Sequence, residues 1–288
     1  MFGDVQRGKI SPADWRYLLR HRPGRGWPLS QVTALELLTG VHFAGAEDFL
    51  SVRQRIELAY KLSNGRILKD PRLLLCEEVL RIPFPSDQLA PSAPVISRYI
   101  DVVRRATTLE QLLSGRVQYM GKLGGIGSTS VVADLMAGPK RAWAAQVEEL
   151  ANENYPSWRQ LFDETGRRLP LEMRKALEPR SAWQQQRPAF VRALLEWLGA
   201  STAPEVNAEI SARLDAVLEF TIFVAREFLL RNYSLEKHHS DVFDQFQLQY
   251  LAFDRFVIVS GDPDLLTRTR QSSQAHRIMP FDQFLGSL

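Results

Sequence analysis

The sequence predicts an α/β protein: a parallel sheet divided between the two ends of the chain, with a large all-helical insertion between its parts. Three observations carry this. Near the C-terminus, Phe256-Val257-Ile258-Val259 is apolar on both faces, as expected of a strand buried in a parallel sheet, and Ser260-Gly261-Asp262 follow at its carboxyl end. Helix-like and strand-like segments alternate at both ends of the chain. Between them, from a stretch holding Pro83, Pro85, Pro91 and Pro94 as far as Tyr233, apolar residues recur at helical spacing and no strand stands out. The expected organisation is residues 1–82 and 236–288 as the two parts of the α/β domain, with residues 83–235 inserted.

From the N-terminal side, Ser11-Pro12-Ala13-Asp14 reads as a capped helix start, with Trp15, Leu18 and Leu19 as its apolar stripe. Trp27-Pro28-Leu29 reads as a short strand, and Ser30 as the cap of a helix that closes at Gly40. A longer helix runs from Ala46 to Leu62, then a turn at Ser63-Asn64-Gly65 and an extended Arg66-Ile67-Leu68 segment. Asp70-Pro71 starts a helix through Val79. In the insertion, helices are expected from Ser97 to Leu113, Lys140 to Asn152, Trp183 to Leu198 and Pro204 to Arg231. Thr202-Ala203-Pro204-Glu205 supplies a capping box for the last. Phe220, Ile222, Phe223, Phe228 and Leu229 read as core. The C-terminus returns to helix 241–253, strand 256–260, helix 263–271, strand 276–279 and a turn from Phe281 to Leu285.

Composition narrows the function classes. The 288 residues, 45% hydrophobic and 24% charged, suit a globular chain. One cysteine, Cys76, excludes an internal disulfide framework and a Cys-rich zinc site, and suits a reducing, cytoplasmic setting. Met1-Phe2-Gly3-Asp4 lacks the basic start and apolar core of a signal peptide. The apolar run from Val217 to Leu230 is interrupted by Glu219, Arg226 and Glu227, so no membrane association is expected. A formal charge of +3 permits an anionic partner without demanding one.

The chemistry-bearing candidates are acids. Asp241 and Asp244 stand three residues apart and so share one helix face, while Asp262 sits at the exit of the apolar strand, the edge where open α/β sheets bind ligands. Converging carboxylates repel unless a cation lies between them, and hard divalent ions prefer oxygen ligands. The expectation is a carboxylate-lined Mg2+ or Mn2+ site. Each acid also has an ordinary reading: Asp241 as a helix cap, Asp244 as a complement to the helix dipole, Asp262 as an N-cap before Pro263. The pair His238-His239 reads as a solvated helix entry. The run from Gly121 to Ser128 lacks the Gly-Lys-Ser/Thr order of a P-loop and reads as a flexible loop.

Two segments carry a resemblance. Asp244 and Asp262 within DQFQLQYLAFDRFVIVSGD, and the terminal HRIMPFDQFL, resemble the back half of the PIN-domain nucleases; SQVTALELL at Ser30–Leu38 is similar to that family's strand-then-Glu-helix element. The resemblance covers roughly residues 1 to 80 and 236 to 288. It implies a PIN-like three-layer α/β/α fold with a parallel sheet, and Glu36, Asp244 and Asp262 as catalytic acids. Asp241 is implied as an additional metal ligand, and Ser260 as an orienter of a carboxylate or metal-bound water. The implied activity is divalent-metal-dependent endoribonuclease chemistry with carboxylate-bound metal activating water. RNA is the implied substrate, with Arg25, Lys237, Arg255, Arg268 and Arg270 as candidate phosphate contacts and a protein antitoxin or regulator as a candidate partner. The family's first strand, ending in Asp-x-Asn, has no counterpart in Met1–Ile10, where Asp4 lacks a preceding apolar run. That departure leaves an alternative from a different class: a catalytically defective interaction module that binds a protein or RNA partner.

Overall fold

Ser11 starts the first helix through its side chain: the hydroxyl accepts the Asp14 amide at 3.0 Å and donates to the Asp14 carboxylate at 2.7 Å. Ser30 does the same for the next, accepting the Thr33 amide at 2.9 Å. These local signals behave as expected in a computed structural model that describes residues 11–21, 23–24, 27–43, 47–85, 93–113, 117–119, 122–124, 180–231 and 241–288. The chain divides into two compact units: Met1–Leu74 with Ser86–Gly138 and Pro280–Leu288, and Leu75–Pro85 with Pro139–Met279.

The first unit holds α1 (Pro12–His21), α2 (Gln31–Phe43), α3 (Phe49–Ser63), α4 (Pro71–Leu74), α5 (Ala93–Arg105), α6 (Leu109–Leu113), the strands β1 (Val117–Tyr119) and β2 (Lys122–Gly124), and a terminal helix Phe281–Gly286. Helices α2, α3 and α5 pack on one another around Leu38, Phe49, Ile56, Ile96 and Val103. Helix α2 continues through Gly40 to Phe43 rather than closing there. Asn64 (φ 52°) and Gly65 (φ 71°) turn the chain after α3, as the Ser-Asn-Gly signal predicts. Leu29 and Ile67 pair in parallel through Leu29 N to Arg66 O at 2.9 Å and Leu68 N to Leu29 O at 2.9 Å, a single bridge. The helix expected from Ser97 to Leu113 is two helices. Thr107 and Thr108 interrupt it: Thr108 Oγ1 accepts the Gln111 amide, while the Gln111 side chain accepts the Thr107 amide.

The second unit opens on a π-helical turn, Leu75–Leu80, and continues with α7 (Arg180–Gln184), α8 (Arg187–Trp197), α9 (Pro204–Arg213), α10 (Asp215–Arg231) and α11 (Asp241–Leu248). Then come a 3-10 turn (Gln249–Ala252), β3 (Ile258–Val259), α12 (Pro263–Thr269), a second 3-10 turn (Ala275–Arg277) and β4 (Ile278–Met279), with Phe281–Gly286 of the first unit taking the label α13. Helix α10 packs against α11 and α12, and α8 against α9, around Leu195, Ile210, Phe220, Ile222 and Leu265. Pro188 restarts the helix expected as one piece from Trp183. Leu214 (φ −103°, ψ 23°) divides the helix expected from Pro204 to Arg231, and Ala203, without a side-chain cap, stands where the capping box is expected.

The three-layer α/β/α fold is not what forms. The structure is mostly helical, and among the described residues its parallel sheet is β3 with β4 alone, in the register Ile258 to Ile278 and Val259 to Met279. Both segments are expected as strands, and each supplies two residues to this ladder; among the described residues no further strand joins it. The reason lies in the apolar run itself. Phe256 leaves the strand to meet Tyr250 and Phe253 edge-on, at 5.6 and 6.0 Å between centroids, and Val257 is 47% exposed. Four apolar residues in a row do not distinguish a doubly buried strand from a loop folding onto aromatic side chains. The segment expected to be wholly helical contains an antiparallel hairpin, Val117–Tyr119 with Lys122–Gly124, so part of the Gly121–Ser128 run is strand. The expected Lys140–Asn152 helix and residues 1–10 lie outside the described residues.

Candidate functional site

The second unit is organised by polar side chains that the helices bury. Asp215, the first residue of α10, and Glu219 one turn later face Arg187 of α8, which binds both; Arg180 of α7 adds a 2.5 Å ion pair to Glu219. The second Asp215 oxygen accepts the Ser272 hydroxyl at 2.8 Å, the Ser273 amide at 2.6 Å and the Ser273 hydroxyl at 2.9 Å. Burial pushes the Asp215 carboxyl up, but the Arg187, Ser272 and Ser273 donors outweigh it and leave the group below its usual range. Gln274 bonds the interrupted helix on both sides: its oxygen accepts the Ala216 amide at 3.0 Å, and its nitrogen donates to Arg213 O at 2.9 Å and Leu251 O at 2.8 Å. The break at Leu214 is thus held from outside the helix.

Arg277 works on carbonyls. Its guanidinium donates to Leu251 O at 2.8 Å, to Phe256 O at 2.8 Å and to Phe253 O, closing the loop that follows the first 3-10 turn. The sequence reading gives none of these five residues (Arg187, Asp215, Glu219, Gln274, Arg277) a site role, and reads Glu219 only as a break in an apolar run. One signal pointed to them: Glu219 is an acid inside an apolar run, and a buried acid needs a cationic partner.

The predicted acids are distributed differently. Asp241, 3% exposed at the start of α11, is ion-paired at 2.6 Å with Arg268 of α12, whose guanidinium lies 5.5 Å from the Phe220 and Phe223 ring centroids. Arg268 is therefore an interior group rather than a phosphate contact. Asp262 is exposed and caps α12, accepting the Asp264 amide at 2.8 Å, as its N-cap reading expects. Ser260 Oγ accepts the Asp262 amide at 3.1 Å, a bond to backbone and not to a carboxylate. Asp244 is half-buried on α11, and Glu36 is half-buried on α2 of the other compact unit; neither is without a partner. Among the described residues, no three His, Cys, Asp or Glu side chains are gathered as metal ligands. Asp241 is ion-paired with Arg268, and one Asp262 oxygen caps its own helix. Arg255 forms a two-pronged pair with Glu78 at 2.7 Å and lies over Phe253 and Phe256; Arg270 is exposed. His238, His239, Arg25 and Lys237 lie outside the described residues.

No family model, curated protein or solved structure matches the chain. Its functional reading rests on its own side chains.

In the first unit the notable surface is α1. Its buried side carries Trp15 and Leu18; its exposed side carries Arg16, Tyr17, Arg20 and His21. Tyr17 and His21 stack with centroids 3.9 Å apart, and His21 Nδ1 lies 2.9 Å from Tyr17 O. Elsewhere in this unit Arg104 binds both Glu57 oxygens and sits 3.3 Å over the Tyr60 ring. The Arg104 hydrogen bond holds the Glu57 carboxyl below its usual range. No helix among the described residues is long and apolar enough to cross a membrane.

Proposed function

We propose that this chain is a non-catalytic binding module built of packed helices. One observation carries the reading: the Asp241–Arg268 pair. A carboxylate that is to hold a divalent ion must present oxygen lone pairs to it. Asp241 instead gives its negative charge to a guanidinium in an aromatic-walled interior, where withdrawing either partner leaves an uncompensated charge. Asp215 is engaged by Arg187 and a serine turn, and Asp262 accepts a backbone amide of its own helix. Carboxylates used this way support a scaffold rather than a reacting centre. The test is calorimetry with Mn2+ on the full chain, together with a cleavage assay on a mixed-sequence RNA. The expected result is no saturable Mn2+ binding and no cleavage. Tight Mn2+ binding that Asp244→Ala abolishes, with metal-dependent cleavage lost in Asp262→Asn, would restore the phosphodiesterase reading.

A further inference from the structure

We propose that the exposed face of α1 binds single-stranded nucleic acid, with Arg16 and Arg20 contacting successive phosphates and Tyr17 stacking on a base. The proposal rests on the binding-module reading and gives that module a partner class. Helix positions 16 and 20 lie one turn apart on the same side, about 6 Å between side-chain origins. Positions 17 and 21 form the adjoining row, so two cations and an aromatic pair share one surface. Neither Arg16 nor Arg20 forms an ion pair among the described residues; Arg16 donates only to Pro12 O within its own helix, at 3.2 Å. The one acid of the helix, Asp14, is occupied by Ser11 at the opposite end. Cations in a last helical turn complement the dipole, and that accounts for Arg20 and His21. It does not account for Arg16, or for an aromatic ring left 41% exposed on a helix whose apolar side is otherwise buried.

His21 supports the Tyr17 ring from one side and so presets a stacking platform. A positively charged surface with an aromatic on which a base can stack is the arrangement that binds single strands, since a duplex keeps its bases stacked on one another. A lipid surface fits less well. The apolar residues that would insert, Trp15 and Leu18, face the protein interior. An acidic peptide would satisfy the cations but gives the supported ring nothing to stack on.

The experiment is fluorescence anisotropy of the full chain with a labelled 12-nucleotide oligouridine across a salt series. Comparison strands are the same-length duplex and unlabelled polyglutamate as competitor. The single strand is expected to bind more tightly than the duplex, and polyglutamate to compete poorly. Arg16→Ala with Arg20→Ala should lower the log–log salt slope by about 1.4, about 0.7 for each phosphate that is no longer neutralised. Tyr17→Ala should weaken binding at least about fivefold while leaving the salt slope alone. All three positions are exposed, so circular dichroism melts should match the parent. The proposal is overturned by variants that bind like the parent, by duplex binding as tight as single-strand binding, or by polyglutamate competing on equal terms. It is equally overturned by a parent chain that does not bind the oligonucleotide. Each of these leaves the module reading standing. Cleavage of the oligonucleotide in Mn2+ would instead overturn the non-catalytic reading, with the salt slopes still deciding the α1 contact.

Discussion

Gly65 shows how much one position can hold in place. Its φ of 71° lies in the left-handed region, and a Cβ built there would come within 2.8 Å of the Tyr60 ring. That ring is fixed in turn, with the Arg104 guanidinium over its face and Arg104 held by Glu57 and Asp101. A methyl group at position 65 therefore meets both a backbone penalty and a ring that cannot swing away without disturbing an ion-pair network. Gly65→Ala is expected to destabilise the protein by about 1–3 kcal/mol, read as a lower urea midpoint at unchanged slope. A neutral or stabilising result would mean the turn relaxes to another conformation. The sequence made this residue legible, because Ser63-Asn64-Gly65 is a turn signal with a mechanism. It did not make the Tyr60 ring legible, since that contact depends on the path of the chain after the turn.

At the scale of elements, buried ion pairs decide which helices sit together. Asp241 opens α11 and Arg268 lies in the last turn of α12, so their pair joins two helices of the second unit. Removing one charge and removing both have different costs. Arg268→Ala should cost about 3–5 kcal/mol, because the buried Asp241 carboxylate loses its guanidinium; Asp241→Leu with Arg268→Met should be near neutral or stabilising. Denaturant melts of both variants check this, and a double variant as unstable as the single would mean the pair is not the source of the destabilisation. The Asp215 network makes a pH-dependent contribution whose sign follows from its lowered carboxyl. Stability from that group is fully present above the unfolded value of about 3.9 and is lost as pH falls through the lower folded value. The stability difference between the parent and Asp215→Asn should therefore be constant near neutrality and shrink as pH falls below about 3.9. A difference that stays flat down to pH 2 would sink this account.

For the whole molecule, the sequence was most informative where a feature is local. The caps at Ser11, Ser30 and Asp70, the turn at Asn64-Gly65, the core Phe220 and Ile222, and the strand character of Ile258-Val259 and Ile278-Met279 follow from neighbouring residues. The sheet did not follow, because a sheet depends on partners far away in the chain and a short apolar run satisfies several environments. The acid site did not follow for a related reason. An acid's neighbours in space decide its role, and Arg268 stands 27 positions beyond Asp241. A last expectation concerns the division into two units, each with its own core. Gly65 acts through Tyr60 in the first unit, and Arg268 through Asp241, Phe220 and Phe223 in the second. Perturbations without shared partners add, to within about 0.5 kcal/mol. Gly65→Ala should accelerate amide exchange chiefly in α2, α3 and α5, and Arg268→Ala chiefly in α10, α11 and α12. The double variant should show both patterns superimposed. If either substitution loosens amides across both sets of helices equally, the two units fold as one cooperative body, and their separate cores do not correspond to separate stabilities.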